Sequence, residues 1–187
     1  MYRKTIRASV IAGAIVTTLP YTALAARVDY NIDLGVEWNN NVALSTLDPI
    51  DQRYLRSGLG FTLTETNSML QASMDGRIEY RNYKDNIFSD TVDGTLSGRV
   101  NWIIIPQRLF FLAENNLSVQ PVDALVPDAP GNRQQVNVFS MGPTLLVNFT
   151  PSLQGQGELR YVNSDAEITD EFNSQRMALA LRTMAAT

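Results

Sequence analysis

Two stretches of the chain alternate almost strictly between apolar and polar side chains. Along positions 70–81 the even-numbered residues are mainly apolar and the odd-numbered ones are polar or charged, and the same pattern returns along 91–102. Successive side chains of a β-strand point to opposite sides of the sheet, so a period of two marks a strand with two chemically different faces. The pattern therefore predicts two long strands, each with one apolar and one polar face.

The same period predicts six further strands. They cover positions 28–38, 53–64, 109–119, 135–149, 152–161 and 173–182. Pro143 lies inside the sixth of the eight strands, and since proline has no N–H to donate, it predicts a bulge or a locally broken ladder there. The chain is accordingly predicted to be all-β.

The predicted connections alternate in length along the chain. Those after strands two, four and six are short turns, and those after strands one, three, five and seven are longer and polar. Outer-membrane β-barrels have short periplasmic turns and longer external loops. A soluble β-sandwich mixes its connections through Greek-key crossings. The alternation favours an antiparallel up-and-down transmembrane β-barrel over a sandwich.

The first 25 residues have the pattern of a signal peptide. Arg3, Lys4 and Arg7 precede an apolar run at positions 8–19, and Ala23-Leu24-Ala25 forms a small-x-small cleavage site. We therefore divide the chain into a signal peptide, 1–25, and an outer-membrane β-barrel domain, 26–187. The predicted location is the outer membrane of a Gram-negative cell.

The composition argues against several classes of function. Without the signal peptide, 12 basic residues face 19 acidic ones, a net charge of −7, which disfavours nucleic acid as a partner. The chain has no histidine and no cysteine, so the commonest general base, the usual zinc ligands and the thiol nucleophile are missing. We predict a protein that is not an enzyme, with no catalytic, cofactor-binding or metal-binding residues.

The polar faces of the predicted strands carry charges of both signs. In a barrel these side chains would face the lumen, where they would either set the selectivity of an aqueous passage or pack as ion pairs that fill a narrow interior. The predicted lumen-facing residues are Asp29, Asp33, Glu37, Asp75, Arg77, Glu79, Arg81, Arg99, Glu158 and Arg160.

Large aromatic residues lie on the apolar faces near the predicted strand ends. Trp38, Tyr80 and Tyr161 are at the long-loop ends, and Trp102 and Phe149 are at the short-turn ends. Amphipathic rings favour the two membrane–water interfaces. These five are the predicted interface aromatics.

Three segments resemble a family of bacterial outer-membrane β-barrels associated with exosortase (PEP-CTERM) and exopolysaccharide loci. They are Leu34-Gly35-Val36-Glu37-Trp38-Asn39-Asn40-Asn41-Val42, the stretch 77–86 (RIEYRNYKDN), and the strand–turn–strand segment 143–165. The resemblance implies a porin-like barrel linked to polysaccharide export or surface assembly. It differs at the C-terminus, where the aromatic residue expected at the end of such barrels is missing.

Two arrangements of the eight strands are open at this point. The chain either closes into a small barrel through pairing of its first and last strands, or forms the front part of a larger barrel. We expect a non-enzymatic role in transport or in surface polysaccharide export, with outer-membrane lipid, the barrel-assembly machinery and polysaccharide as partners. The alternatives are a small structural or surface-interaction barrel and a secreted carbohydrate-binding β-sandwich.

Overall fold

The computed structural model describes residues 26–84 and 87–185. The predicted signal peptide, residues 1–25, lies outside the described residues. The single helical element in the described part is a 3-10 turn, Asp170–Phe172. No helix in this part is both long and apolar enough to cross a lipid bilayer.

All eight predicted strands are present, and they form one sheet. Their bounds are β1 Arg27–Asn39, β2 Gln52–Thr66, β3 Leu70–Tyr83, β4 Thr91–Ile105, β5 Leu109–Pro121, β6 Arg133–Thr150, β7 Leu153–Ala166 and β8 Ser174–Ala185. Each strand pairs antiparallel with its neighbours in the sequence, in the order β1 to β8. The prediction of an all-β, antiparallel, up-and-down arrangement is confirmed.

The sheet is open. Among the described residues, β1 pairs only with β2, and β8 pairs only with β7. The small eight-stranded barrel with strand one paired to strand eight is therefore not the arrangement of this structure. The open sheet is consistent with an incomplete barrel.

The alternation of connection lengths is confirmed, although the strands are longer than the pattern predicts. Short turns lie at 67–69, 106–108 and 151–152, and longer loops at 40–51, 84–90, 122–132 and 167–173. The largest difference is at the end of β7, where residues 163–166, predicted as loop, continue the strand. They do so because β6 supplies partners as far as Val136, which pairs with Ala166.

Within residues 26–84 and 87–185, no protein layer covers the apolar face of the sheet. Most of its large side chains are exposed, and the buried apolar residues of the described part are Val42, Tyr83, Val136 and Ala166. These four lie at the long-loop ends of the strands or in the first loop. The fold therefore has small cores under its loops rather than one core between two layers.

Pro143 interrupts the pairing between β6 and β7 without ending β6. Register pairs run to Met141 and resume at Thr144, and Arg160 of β7 fills the gap with its side chain. Its Nη1 donates to the carbonyl oxygens of Gly142 and Pro143, at 3.0 and 3.1 Å, and its Nη2 donates to Thr144 Oγ1 at 2.9 Å. The expected broken ladder is thus present and is bridged by a guanidinium group.

The close approach of β6 to β7 at this gap requires a glycine. A Cβ at Gly142 would meet the backbone oxygen of Leu159 far inside van der Waals contact. We expect Gly142→Ala to lower the free energy of unfolding by about 1–3 kcal/mol, the usual cost of overpacking. Gly35→Ala is the matched control, since nothing lies within 4 Å of a Cβ built there. Urea unfolding of both variants in detergent measures the difference, and equal stabilities would contradict the prediction.

Candidate functional site

The polar face of the sheet carries hollows that are open to solvent and border several strands. A cavity of about 410 Å³ is bordered by residues of five successive strands. Its polar members include Asn31, Thr62, Asp75, Thr95 and Asn116, and Phe61, Leu96 and Leu117 also border it. A second cavity, of about 430 Å³, lies beside it toward β6. Because one hollow borders residues of five successive strands on this side, we call the polar side of the sheet the concave face.

A chain of alternating charges crosses this concave face near the long loops. We call it the ion-pair network; its members are Asp33, Glu37, Arg56, Arg77, Glu79, Arg81, Asp93 and Arg133. They come from β1, β2, β3, β4 and β6. The eight members are four arginines and four carboxylates, and Asp128 is a further carboxylate paired with Arg133.

Glu79 is the centre of the network. Its carboxylate lies 2.5 Å from Arg81 Nη2, 3.2 Å from Arg77 Nη2 and 3.8 Å from Arg56 Nη1. Its side chain is only 11% exposed. A carboxylate removed from water to this extent needs such partners, because a buried unpaired charge is costly.

The ion pair between Asp33 and Arg77 joins β1 to β3 across β2. Asp33 Oδ1 lies 2.8 Å from Arg77 Nη2, and the two side chains meet above Gly58. A Cβ at that position would lie 2.5 Å from Arg77 Nη2 and 2.7 Å from Asp33 Oδ1. Glycine at position 58 therefore makes room for the ion pair.

The network continues past β4 to the start of β6. Arg81 Nη1 lies 2.7 Å from Asp93 Oδ2, and Arg133 Nη1 lies 3.8 Å from the same oxygen. Arg133 also donates from Nε to Asp128 of the third long loop, at 2.6 Å. A cavity of about 270 Å³ opens here among the charged side chains. Such an arrangement offers fixed donors and acceptors of both signs to a solute or to water.

The predicted lumen-facing residues share one face but not one site. Five belong to the ion-pair network: Asp33, Glu37, Arg77, Glu79 and Arg81. The other five lie in separate contacts: Asp29 with Arg27, Asp75 with Thr62, Arg99 with Glu114, and Glu158 with Arg160. That this face lines a lumen stays a prediction.

The predicted set omits four residues that the structure places in or beside the network. Arg56 and Asp93 have the parity of the polar face and could have been included on that signal alone. Tyr54 has it too, and its hydroxyl donates to Glu37 Oε2 at 2.5 Å. The sequence pattern leaves Arg133 in a loop, because it predicts the start of β6 two residues too late.

Four of the five predicted interface aromatics lie near strand ends. Trp38 Nε1 donates to Asp51, and the Tyr80 hydroxyl donates to Asp90 at 2.7 Å, so both rings connect a strand to a long loop. Trp102 and Phe149 lie at the short-turn ends of β4 and β6. The fifth, Tyr161, is five residues from the end of β7, because that strand continues beyond its predicted end at 161. That these five residues lie at membrane interfaces stays a prediction.

The Trp-Asn-Asn-Asn-Val segment shapes the first long loop. The Asn39 side chain accepts a hydrogen bond from the backbone N–H of Asn41, and Asn41 exchanges hydrogen bonds with the backbone of Ser45. Val42 is buried, and its N–H donates to Ile50 O at 2.9 Å. This motif, which carries the family resemblance, has a structural role in turning the chain after β1.

Asp90 fastens the second long loop to the end of β3. Hydrogen bonds from the Tyr80 hydroxyl, Asn82 Nδ2 and the Tyr83 N–H hold the pKa of Asp90 below its ordinary value. The lower pKa in the folded state means that the carboxylate stabilises this loop above its unfolded-state pKa, near 4. That stabilisation is lost as the pH falls through the folded-state pKa.

We therefore expect the loop contact to be pH-dependent in the native protein and independent of pH in Asp90→Asn. Amide exchange of Tyr83, whose N–H donates to Asp90 at 3.1 Å, measures it between about pH 6 and pH 3. Asp48→Asn is the control, since the carboxylate of Asp48 accepts no hydrogen bond within the described part. The same acid-dependent exchange in Asp90→Asn would contradict the assignment.

Comparisons of the chain with protein-family models, curated proteins and solved structures found no match. A function for this chain therefore has to be inferred from its fold and from the contrast between its two faces.

Proposed function

We propose that this chain forms part of the wall of a porin-like outer-membrane β-barrel, with a non-enzymatic role in the passage of hydrophilic solutes or surface polysaccharide. The observation that carries the proposal is the opposition of the two faces. One is a band of exposed apolar side chains, and the other is concave, polar and crossed by ion pairs.

The apolar face supports a lipid environment. Side chains such as Ile78, Leu145 and Val147 are about half exposed although they lie within the sheet. Monomeric soluble proteins rarely leave apolar patches larger than a few hundred Å² exposed. Lipid would cover this band without a second protein layer. The placement of Trp102 and Phe149 at its short-turn margin fits a membrane interface.

The concave face supports an aqueous interior. Its charged groups are paired, so they can stay ionised at modest cost. Paired arginines and carboxylates present charge-assisted hydrogen bonds, which suit hydroxyl-rich solutes as well as water. The resemblance to barrels from exopolysaccharide loci agrees with polysaccharide as one such solute.

Conductance across planar lipid bilayers tests the proposal. The chain refolded in detergent and added to a bilayer should give discrete current steps. Insertion without conductance would favour a structural or surface-interaction barrel. A protein that folds fully without detergent or lipid would contradict the membrane proposal and favour a secreted carbohydrate-binding sandwich.

A further inference from the structure

The two outermost strands of the sheet have free edges. β1 is 13 residues long and β8 is 12, and within the described part neither has a partner on its outer side. Neither strand contains a proline, a lysine or a bulge, three of the devices that keep a sheet edge from pairing. Both strands do carry charged side chains, so the pairing of these edges depends on where those charges would meet.

Apolar side chains of the two edge strands have a larger exposed fraction than those of the inner strands. Leu34 of β1 is 76% exposed, and Leu179 and Leu181 of β8 are 71% and 77% exposed. Leucines of inner strands on the same face, Leu55 and Leu145, are 45% and 48% exposed. The difference arises because an edge side chain lacks a neighbour on one side.

The polar sides of the two edges carry opposite charge. β1 presents three carboxylates, Asp29, Asp33 and Glu37, and β8 presents Arg176 and Arg182 separated by alanines. Neither of these two arginines lies within ion-pair distance of a carboxylate in residues 26–84 and 87–185. The β1 carboxylates already pair with Arg27, Arg77 and Arg56 of their own chain, so the arginines of β8 would be second partners for them. The charge of the two edges is opposite in sign, and in that sense one edge is complementary to the other.

We propose that β1 of one copy of this chain pairs with β8 of a second copy, so that two sheets of eight strands close into one barrel of sixteen. A twofold axis along the barrel makes both seams identical, which gives a closed assembly. β1 and β8 run in opposite directions in the sheet, so the new pair is antiparallel like the rest. Sixteen strands enclose an aqueous channel, whereas eight leave an interior just wide enough for side chains.

One register pairs the full length of β8, keeps apolar side chains on one face, and brings a carboxylate opposite an arginine. It sets residues 28–39 of β1 opposite residues 185–174 of β8, so that the whole of β8 is paired. Glu37 then lies opposite Arg176, and Arg182 lies opposite Asn31, diagonal to two carboxylates. On the apolar face Leu34 lies opposite Leu179. Both edges lose their unpaired N–H and C=O groups, which lipid does not tolerate.

The inference depends on the proposed membrane location, because the unpaired N–H and C=O groups of a free edge can bond to water but not to lipid. Self-closure of one copy would need the same seam, but the structure holds β1 and β8 apart and keeps cavities of about 410 and 430 Å³ on the concave face. A second copy would give each of the two edges an antiparallel partner.

Cysteine cross-linking between different copies tests the seam, and the chain has no cysteine of its own. Leu34→Cys and Leu179→Cys are made in separate proteins, refolded together in detergent and oxidised. Directly opposite strand residues have Cα atoms about 4.5–5.5 Å apart, which suits a disulfide. We expect a cross-linked species of twice the chain mass. Leu34→Cys mixed with Ala178→Cys, which faces the other side, is the control and should not cross-link.

Two results would overturn the inference. Cross-linking confined to single chains of the double variant Leu34→Cys/Leu179→Cys would show that the sheet closes on itself. No cross-link in either experiment would show that this seam does not form. Because a heat-modifiable gel shift reports folding of the same samples in detergent, failure of the seam is distinguishable from failure of the membrane proposal.

Discussion

Leu96→Arg should abolish insertion of the protein into membranes. Leu96 lies within β4, on the apolar face, between Gly76 of β3 and Leu117 of β5. If lipid covers that face, an arginine near the middle of the bilayer costs about 2–4 kcal/mol. Heat-modifiable gel mobility after addition of the unfolded chain to lipid vesicles measures the inserted fraction. We expect the shift to disappear in the variant.

The matched control for this variant is one residue further along the same strand. Ser97 lies on the polar face, between Asp75 of β3 and Asn116 of β5. An arginine there can extend into water and reach Asp75 of the neighbouring strand, with which Ser97 is paired. We expect Ser97→Arg to insert normally. Equal insertion of both variants would contradict the assignment of faces.

Glu79→Gln should produce the largest loss of stability among substitutions on the concave face. The change leaves Arg56, Arg77 and Arg81 close together without their shared carboxylate. Removing one partner of a largely buried ion pair costs about 3–5 kcal/mol. Partial access of water to the arginines favours the lower end of that range. Urea unfolding in vesicles measures the change.

Asp29→Asn provides the comparison for Glu79→Gln. Asp29 pairs with Arg27, but both side chains are largely exposed to solvent, and exposed ion pairs contribute little. We expect no measurable change in unfolding for this variant. Similar effects for the two variants would mean that the ion-pair network does not stabilise the sheet.

The sequence predicts the strands well because their period of two is set by the two environments of the sheet. Even-numbered Leu70 to Tyr80 and odd-numbered Gln71 to Arg81 separate without exception, and the strand they predict is present. Strand ends are less predictable, because polar residues such as Asn163 and Asp165 fit a loop as well as a strand end. Pairing with β6 decides their conformation.

The composition of the ion-pair network is only half predictable from sequence. Parity places Glu79 and Arg81 on the polar face, but the register between strands decides which charges meet. Asp33 reaches Arg77 two strands away because Gly58 leaves room between them. A long arginine side chain can reach several carboxylates on neighbouring strands. The order of residues along the chain does not show which of them it pairs with.

The open edges are not predictable in the same way. The pattern identifies β1 and β8 as strands, and it shows carboxylates on one and arginines on the other. Whether they pair with each other depends on the curvature of the sheet, which arises from twist and packing over all eight strands. Only the three-dimensional arrangement shows that these two edges are free.

The most direct test of the membrane assignment is a spin-label scan along β4 in lipid vesicles, using single cysteines in this cysteine-free chain. Labels at Leu96 and Val100 should be relaxed mainly by oxygen, which concentrates in lipid. Labels at Thr95, Ser97 and Arg99 should be relaxed mainly by a water-soluble nickel complex. This alternation with a period of two would support a sheet between lipid and water. Preference for the nickel complex at every position would contradict the proposed lipid-facing band.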